Sequence, residues 1–121
     1  PQEKGRFIIK FDLHRDEVTM SIKKQYLKSK PVCKVTFRIA EEIGNSAGTA
    51  HVVGDFNNWD YFSTPMKKLK KGAFTATLNL DKGREYQFRY LLDNKNWEND
   101  ASADGFTPTP FGDSENSVIA L

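Results

Sequence analysis

The chain has 121 residues, 38% of them apolar and including nine Phe and four Tyr, enough to bury the core of one domain. Eighteen basic against sixteen acidic residues leave a formal net charge of +2, so bulk electrostatics singles out no charged partner. The lone cysteine, Cys33, rules out an intrachain disulfide and fits a reducing compartment; with no apolar run near the ~20 residues of a membrane span and no secretory-signal pattern, the expected location is cytoplasmic.

In chain order, Phe7, Ile9, Phe11 and Leu13 alternate with Arg6, Ile8, Lys10 and Asp12. They predict a strand in an N-terminal extension, residues 1–19, able to add to a sheet edge or to another copy of the chain. The main domain is expected over 20–121. Ser21 to Lys30 reads two ways: Ile22, Tyr26 and Leu27 fit one helical face, while Pro31 and the strand behind it favour an extended approach. Cys33, Val35, Phe37 and Ile39 alternate with Lys34, Thr36 and Arg38, as in a strand with one buried face, and Cys33 is read as a buried structural thiol. Glu41 to Gly48 reads as a loop, Thr49 to Val53 as a short strand, and Met66 to Lys70 as a lysine-rich edge strand. Phe74, Ala76, Leu78 and Leu80 form the apolar face of the next strand, Asp81-Lys82-Gly83 turns the chain, and Tyr86, Phe88, Tyr90 and Leu92 line the face after it. Ser117 to Leu121 closes the series. Seven to eight short strands separated by turns, without helical periodicity, predict an all-β, immunoglobulin-like sandwich; a closed eight-stranded barrel fits less well.

Trp59 and Trp97 stand in polar surroundings, Gly54-Asp55-Phe56-Asn57-Asn58-Trp59-Asp60 and Asp93-Asn94-Lys95-Asn96-Trp97-Glu98-Asn99-Asp100. A flat indole framed by amides and carboxylates suits a sugar, whose C–H face stacks on the ring while its hydroxyls bond the polar groups. The plainer reading is that each indole plugs a loop onto the core. Arg89 lies opposite the Tyr86, Phe88, Tyr90, Leu92 face and is expected to project outward, where its planar donor fork suits vicinal hydroxyls; the plainer reading there is a solvated residue pairing with Glu85 or Glu98.

Val52-Val53-Gly54-Asp55-Phe56-Asn57-Asn58-Trp59, Thr64-Pro65-Met66, Gly83 to Asp93, Trp97-Glu98-Asn99-Asp100 and Asn116-Ser117-Val118 occur in an order that resembles a known family. It is carbohydrate-binding module family 48, represented by the glycogen-binding domain of the AMP-activated protein kinase β subunit and the early-set domains of isoamylases and branching enzymes. The likeness runs from about Pro31 to Leu121. It implies an early-set sandwich that binds α-glucans, such as glycogen, starch or a maltodextrin, through two tryptophans, a basic residue and an asparagine. These fall on Trp59, Trp97, Arg89 and Asn116, with Asn58 supporting the first loop and Phe111 in the place of an apolar residue that pierces a glucan ring. Two departures stand out: three residues, Asn94-Lys95-Asn96, separate Asp93 from Trp97 where the kinase pattern has two, and the segment from Phe111 to Glu115 is one residue longer.

An enzyme reading would take a general acid and base from Asp55, Asp60, Asp93, Glu98, Asp100 and Asp104. These acids lie in turn-rich segments of a small sandwich with no deep cleft expected, and the family places catalysis in a separate barrel, so no catalytic residue and no cofactor is expected. A regulatory module that uses the sandwich to bind a glycogen- or starch-metabolising enzyme, or that has lost its sugar, is the alternative reading. Nucleic acid is disfavoured because Tyr86, Phe88 and Tyr90 share a face with Leu92 and are expected in the core, and edge-strand lysines ordinarily prevent aggregation. His14 and His51 stand without metal-ligand spacing.

Overall fold

The computed structural model describes residues 20–109 and 114–121. The elements in chain order are β1 (Met20–Tyr26), β2 (Val32–Ile39), a helical turn α1 (Glu41–Gly44), β3 (Ala50–Gly54), a 3-10 turn (Asp55–Asn57), β4 (Lys67–Lys68), β5 (Phe74–Asp81), β6 (Glu85–Leu92), β7 (Asn96–Glu98), β8 (Gly105–Pro108) and β9 (Glu115–Ala120). The strand expected at Phe7 to Leu13, the rest of the 1–19 extension, and Phe111 lie outside the described residues.

Two antiparallel sheets face each other, one ordered β1-β2-β5-β4 and the other β3-β6-β9-β8, with β7 pairing β6 beyond the end of β9. The all-β sandwich is as expected, with nine strands among the described residues. The two-way segment resolves as strand: β1 pairs with β2 along its full length, Met20 opposite Ile39 and Tyr26 opposite Cys33. Where a plain loop is expected, Glu41–Gly44 makes one helical turn, and Ile43 from it packs against the core.

Period-two alternation does what it should in the long strands. Cys33, Val35, Phe37 and Ile39 from β2 and Phe88, Tyr90 and Ile119 from the opposing sheet are fully buried, because alternate residues of each strand point to the shared face. Phe37 meets Phe88 with ring centroids 5.2 Å apart, near edge-to-face, and Phe88 meets Tyr90 at 5.7 Å. Such tilted contacts place ring edges on ring faces, as the aromatic quadrupole prefers. Phe56, half-buried, closes the core beside Phe37 at 5.8 Å and Tyr86 at 6.2 Å.

Two hydroxyls in the core have fixed acceptors. The Tyr86 hydroxyl donates back to the Asp81 carbonyl at 2.9 Å, the tyrosine corner familiar at the start of this strand in immunoglobulin-like sandwiches. The Tyr90 hydroxyl donates to Asp100 Oδ2 at 2.6 Å, and the buried carboxylate also accepts from the Ser102 backbone N–H and hydroxyl. Burial first, and then the charge and hydrogen bond of Asp100, push the Tyr90 phenol well above its ordinary value, so it stays a proton donor.

Candidate functional site

The outer face of the second sheet carries the expected residues. Gln87, Arg89 and Leu91 of β6 point away from the core, and the register sets Leu91 beside Trp97 of β7 and between it and His51 of β3. Phe88 opposite Ser117 brings Arg89 next to Asn116 of β9, and Arg89 Nε donates to Asn116 Oδ1 at 2.6 Å. Neither Glu85 nor Glu98 pairs with it.

Trp59 reaches this face from the 3-10 turn after β3. Asn57 braces that turn: its Oδ1 accepts from the Gly54 N–H at 3.0 Å, and its Nδ2 donates to the Val52 carbonyl at 3.0 Å and to Thr64 Oγ1 at 2.9 Å. Asn58, expected to support this loop, is exposed. It and Trp59 adopt the left-handed region at φ 57° and 58°, which is ordinary for Asn and rare for a bulky residue. The Trp59 indole N–H donates to Asp55 Oδ1 at 2.9 Å, and Asp55 Oδ2 accepts from the Gln87 backbone N–H at 2.7 Å. One carboxylate thus pins the edge of the half-buried ring to β6.

Trp97 is carried by a hairpin whose turn residues Asp93 and Asn94 both have positive φ, 53° and 60°, with Lys95 N–H bonded to the Leu92 carbonyl at 3.1 Å. Asp-Asn suits such a turn because both residues tolerate the left-handed region. The third intervening residue, Asn96, opens β7 opposite Leu92, so the hairpin loop holds Asp93 to Lys95. Asp93 also anchors the turn by accepting from the Gly48 N–H at 2.7 Å.

These residues converge. A concave, solvent-open cavity of about 460 Å³ is lined by Trp59, Arg89, Trp97 and Asn116, together with Tyr61, Gln87 and Thr109. Asn58 is not among its lining residues. Tyr61, 51% exposed, stands almost perpendicular to Trp97, centroids 5.2 Å apart at 79°, and makes a wall beside that platform. From Tyr61 the rings continue to Phe62 at 6.2 Å and from Phe62 to His51 at 5.4 Å. This row of four rings spans the two cross-strand neighbours of Leu91, which is 1% exposed although it faces outward. His51 Nδ1 is buried here without a hydrogen-bond partner.

Tyr61, Gln87 and Asn57 are absent from the residues singled out in the sequence. The Tyr61-Phe62 pair, two adjacent aromatics in a polar turn, is a signal of the kind Trp59 gives. Gln87, two residues before Arg89, shares its strand face by period two.

Of the acids weighed for catalysis, Asp55, Asp93 and Asp100 are committed to the bonds above. Asp60 caps the Phe62 N–H at 3.0 Å and Asp104 pairs with Lys24 at 2.7 Å.

Against known families, the model of carbohydrate-binding module 48, the isoamylase N-terminal domain, matches residues 35–106, more than half of the chain. The matched stretch contains Trp59, Arg89 and Trp97 and stops short of Asn116. A search of curated proteins gives no match.

Proposed function

The chain belongs to carbohydrate-binding module family 48, and so to a family that binds carbohydrate; from that premise we propose that it binds α-1,4-linked glucans without catalysing their turnover. Trp59 and Trp97 stack on glucose units, and Arg89 and Asn116 bond hydroxyls. The observation that carries this reading is the convergence of Trp59, Trp97, Arg89 and Asn116, from separate loops and strands, on one open cavity. The engagement of five of the six weighed acids in loop hydrogen bonds or an ion pair supports the non-catalytic part.

Rings projecting from a 3-10 turn and a separate hairpin, with the Tyr61 wall beside one of them, suit a chain that curves. An α-1,4-glucan does so, whereas a β-1,4-glucan runs straight and contacts fewer of these groups at once. Two half-buried indoles stabilise a complex by only a few kcal/mol after ordering costs, so the dissociation constant is expected at roughly ten micromolar to one millimolar. Calorimetric titration with maltohexaose and with cellohexaose in one buffer tests the reading. Binding of the first and much weaker binding of the second is expected; equal affinities would contradict it.

A further inference from the structure

We propose that Gln87 is a direct ligand-contacting residue, its side-chain N–H groups facing the bound sugar, and that Arg89 fixes this direction through Asn116. The inference rests on the glucan-binding reading above and names the polarity of that site. A guanidinium only donates hydrogen bonds. The Asn116 atom facing Arg89 Nε at 2.6 Å must therefore be the carbonyl oxygen, which leaves the Asn116 nitrogen to donate to Gln87 at 2.9 Å. Gln87 must in turn present Oε1 to Asn116, so Nε2 is left free of protein partners among the described residues, on a residue that lines the cavity.

The consequence is a floor that offers donors. Besides Gln87 Nε2, the terminal nitrogens of Arg89 and one N–H of Asn116 have no partner among the described residues. The nearby carboxylate of Asp55 accepts instead from the Trp59 indole and the Gln87 backbone N–H and bonds none of these donors. Such a floor reads acceptor oxygens: ring oxygens, glycosidic oxygens and the lone pairs of hydroxyls whose own protons turn to water.

Two substitutions separate contact from scaffolding. In Gln87→Glu the carboxylate still accepts from Asn116, so the relay from Arg89 survives, but the outward donor becomes an acceptor. In Gln87→Met both functions go. If Gln87 touches the sugar, each variant loses maltoheptaose affinity by at least about tenfold while keeping the wild-type melting temperature. If Gln87 only holds Asn116, Gln87→Glu binds like wild type and Gln87→Met alone is impaired, which overturns the proposal. A measurement on the unaltered chain guards against a variant that fails to fold: on adding maltoheptaose, the Gln87 side-chain amide resonances are expected to shift with the Trp59 and Trp97 indole N–H resonances. Indole shifts with a silent Gln87 amide overturn the proposal and leave the glucan reading standing; silence at all three overturns both.

Discussion

Trp59 and Trp97 present indoles to the same cavity but are held differently. Trp59 is tied at its edge by Asp55 and sits at a left-handed backbone position that a bulky residue adopts only under constraint. Trp97 leans on the Tyr61 ring and covers Leu91. Because both lie outside the inter-sheet core, Trp59→Ala and Trp97→Ala are each expected to weaken maltoheptaose binding at least about tenfold, near 1.4 kcal/mol, with the cooperative melting transition intact. Calorimetry paired with thermal melting checks this; loss of the transition would mark the indole as structural. The two tryptophans and Arg89 stand out in the sequence because large aromatics in polar loops and a cation on the outward phase of a strand are conspicuous, whereas Asn116 enters only through the family resemblance. Gln87 was not, since an amide on a strand surface looks like any solvated residue until its neighbours assign its polarity. Nor does a sequence distinguish Asn57 from Asn58, two adjacent amides of which the first braces the turn with its side chain and the second is exposed.

At the scale of elements, the site depends on how closely β3 approaches β6. A Cβ at Gly54 would meet the Gln87 carbonyl and lie 2.7 Å from Phe88 Cβ, so only glycine lets the end of β3 close onto β6 where Trp59, Asp55 and Gln87 are joined. Gly54→Ala is expected to destabilise by about 1–3 kcal/mol, the usual cost of overpacking, and to weaken glucan binding as well, since the same shift displaces Gln87. Denaturant unfolding and one titration test this; unchanged binding in the destabilised variant would mean that the site tolerates movement of β6. The long strands could be read from alternation alone, as β2, β5 and β6 illustrate. Some short or polar ones could not, although β3 and the lysine-rich β4 overlap stretches expected as strands. β7 and β8 have three and four residues, too few for a periodic signal, and owe their state to pairing with β6 and β9. β1 puts Lys24 on its inward phase opposite Val35, which blurs the alternation and leaves a helical reading open until β2 supplies a partner.

Across the whole molecule, the first sheet supplies the opposing wall of the core and the outer face of the second bears the proposed site. One polar tie links the two at an edge: Lys24 of β1 donates to Asp104 at 2.7 Å and to the Ala120 carbonyl at 3.0 Å, while Asp104 accepts from the Ala120 N–H at 2.8 Å. Burial raises the Asp104 carboxyl, but the Ala120 N–H and the Lys24 ammonium together outweigh it and hold the group below its ordinary 3.8. A carboxyl lowered by folding contributes stability that is fully present above its unfolded value and lost as pH falls through its folded one. The pair is partly exposed, so its worth is below about 1 kcal/mol. Asp104→Asn, which keeps an acceptor for Ala120, is expected to melt slightly below wild type at neutral pH, with the gap closing as pH drops below 3.8; a gap that persists to about pH 2 would assign the difference to something other than the ion pair.

Whether sugar is held on the outer face of the second sheet is decided by an NMR titration of the whole chain with maltoheptaose. Saturable shifts are expected at the Trp59 and Trp97 indole N–H groups and along the Gln87 to Arg89 backbone, with the Lys34 to Arg38 backbone of β2, on the far sheet, unmoved. Saturable shifts confined to that far sheet, or no shifts at millimolar sugar, would contradict that placement.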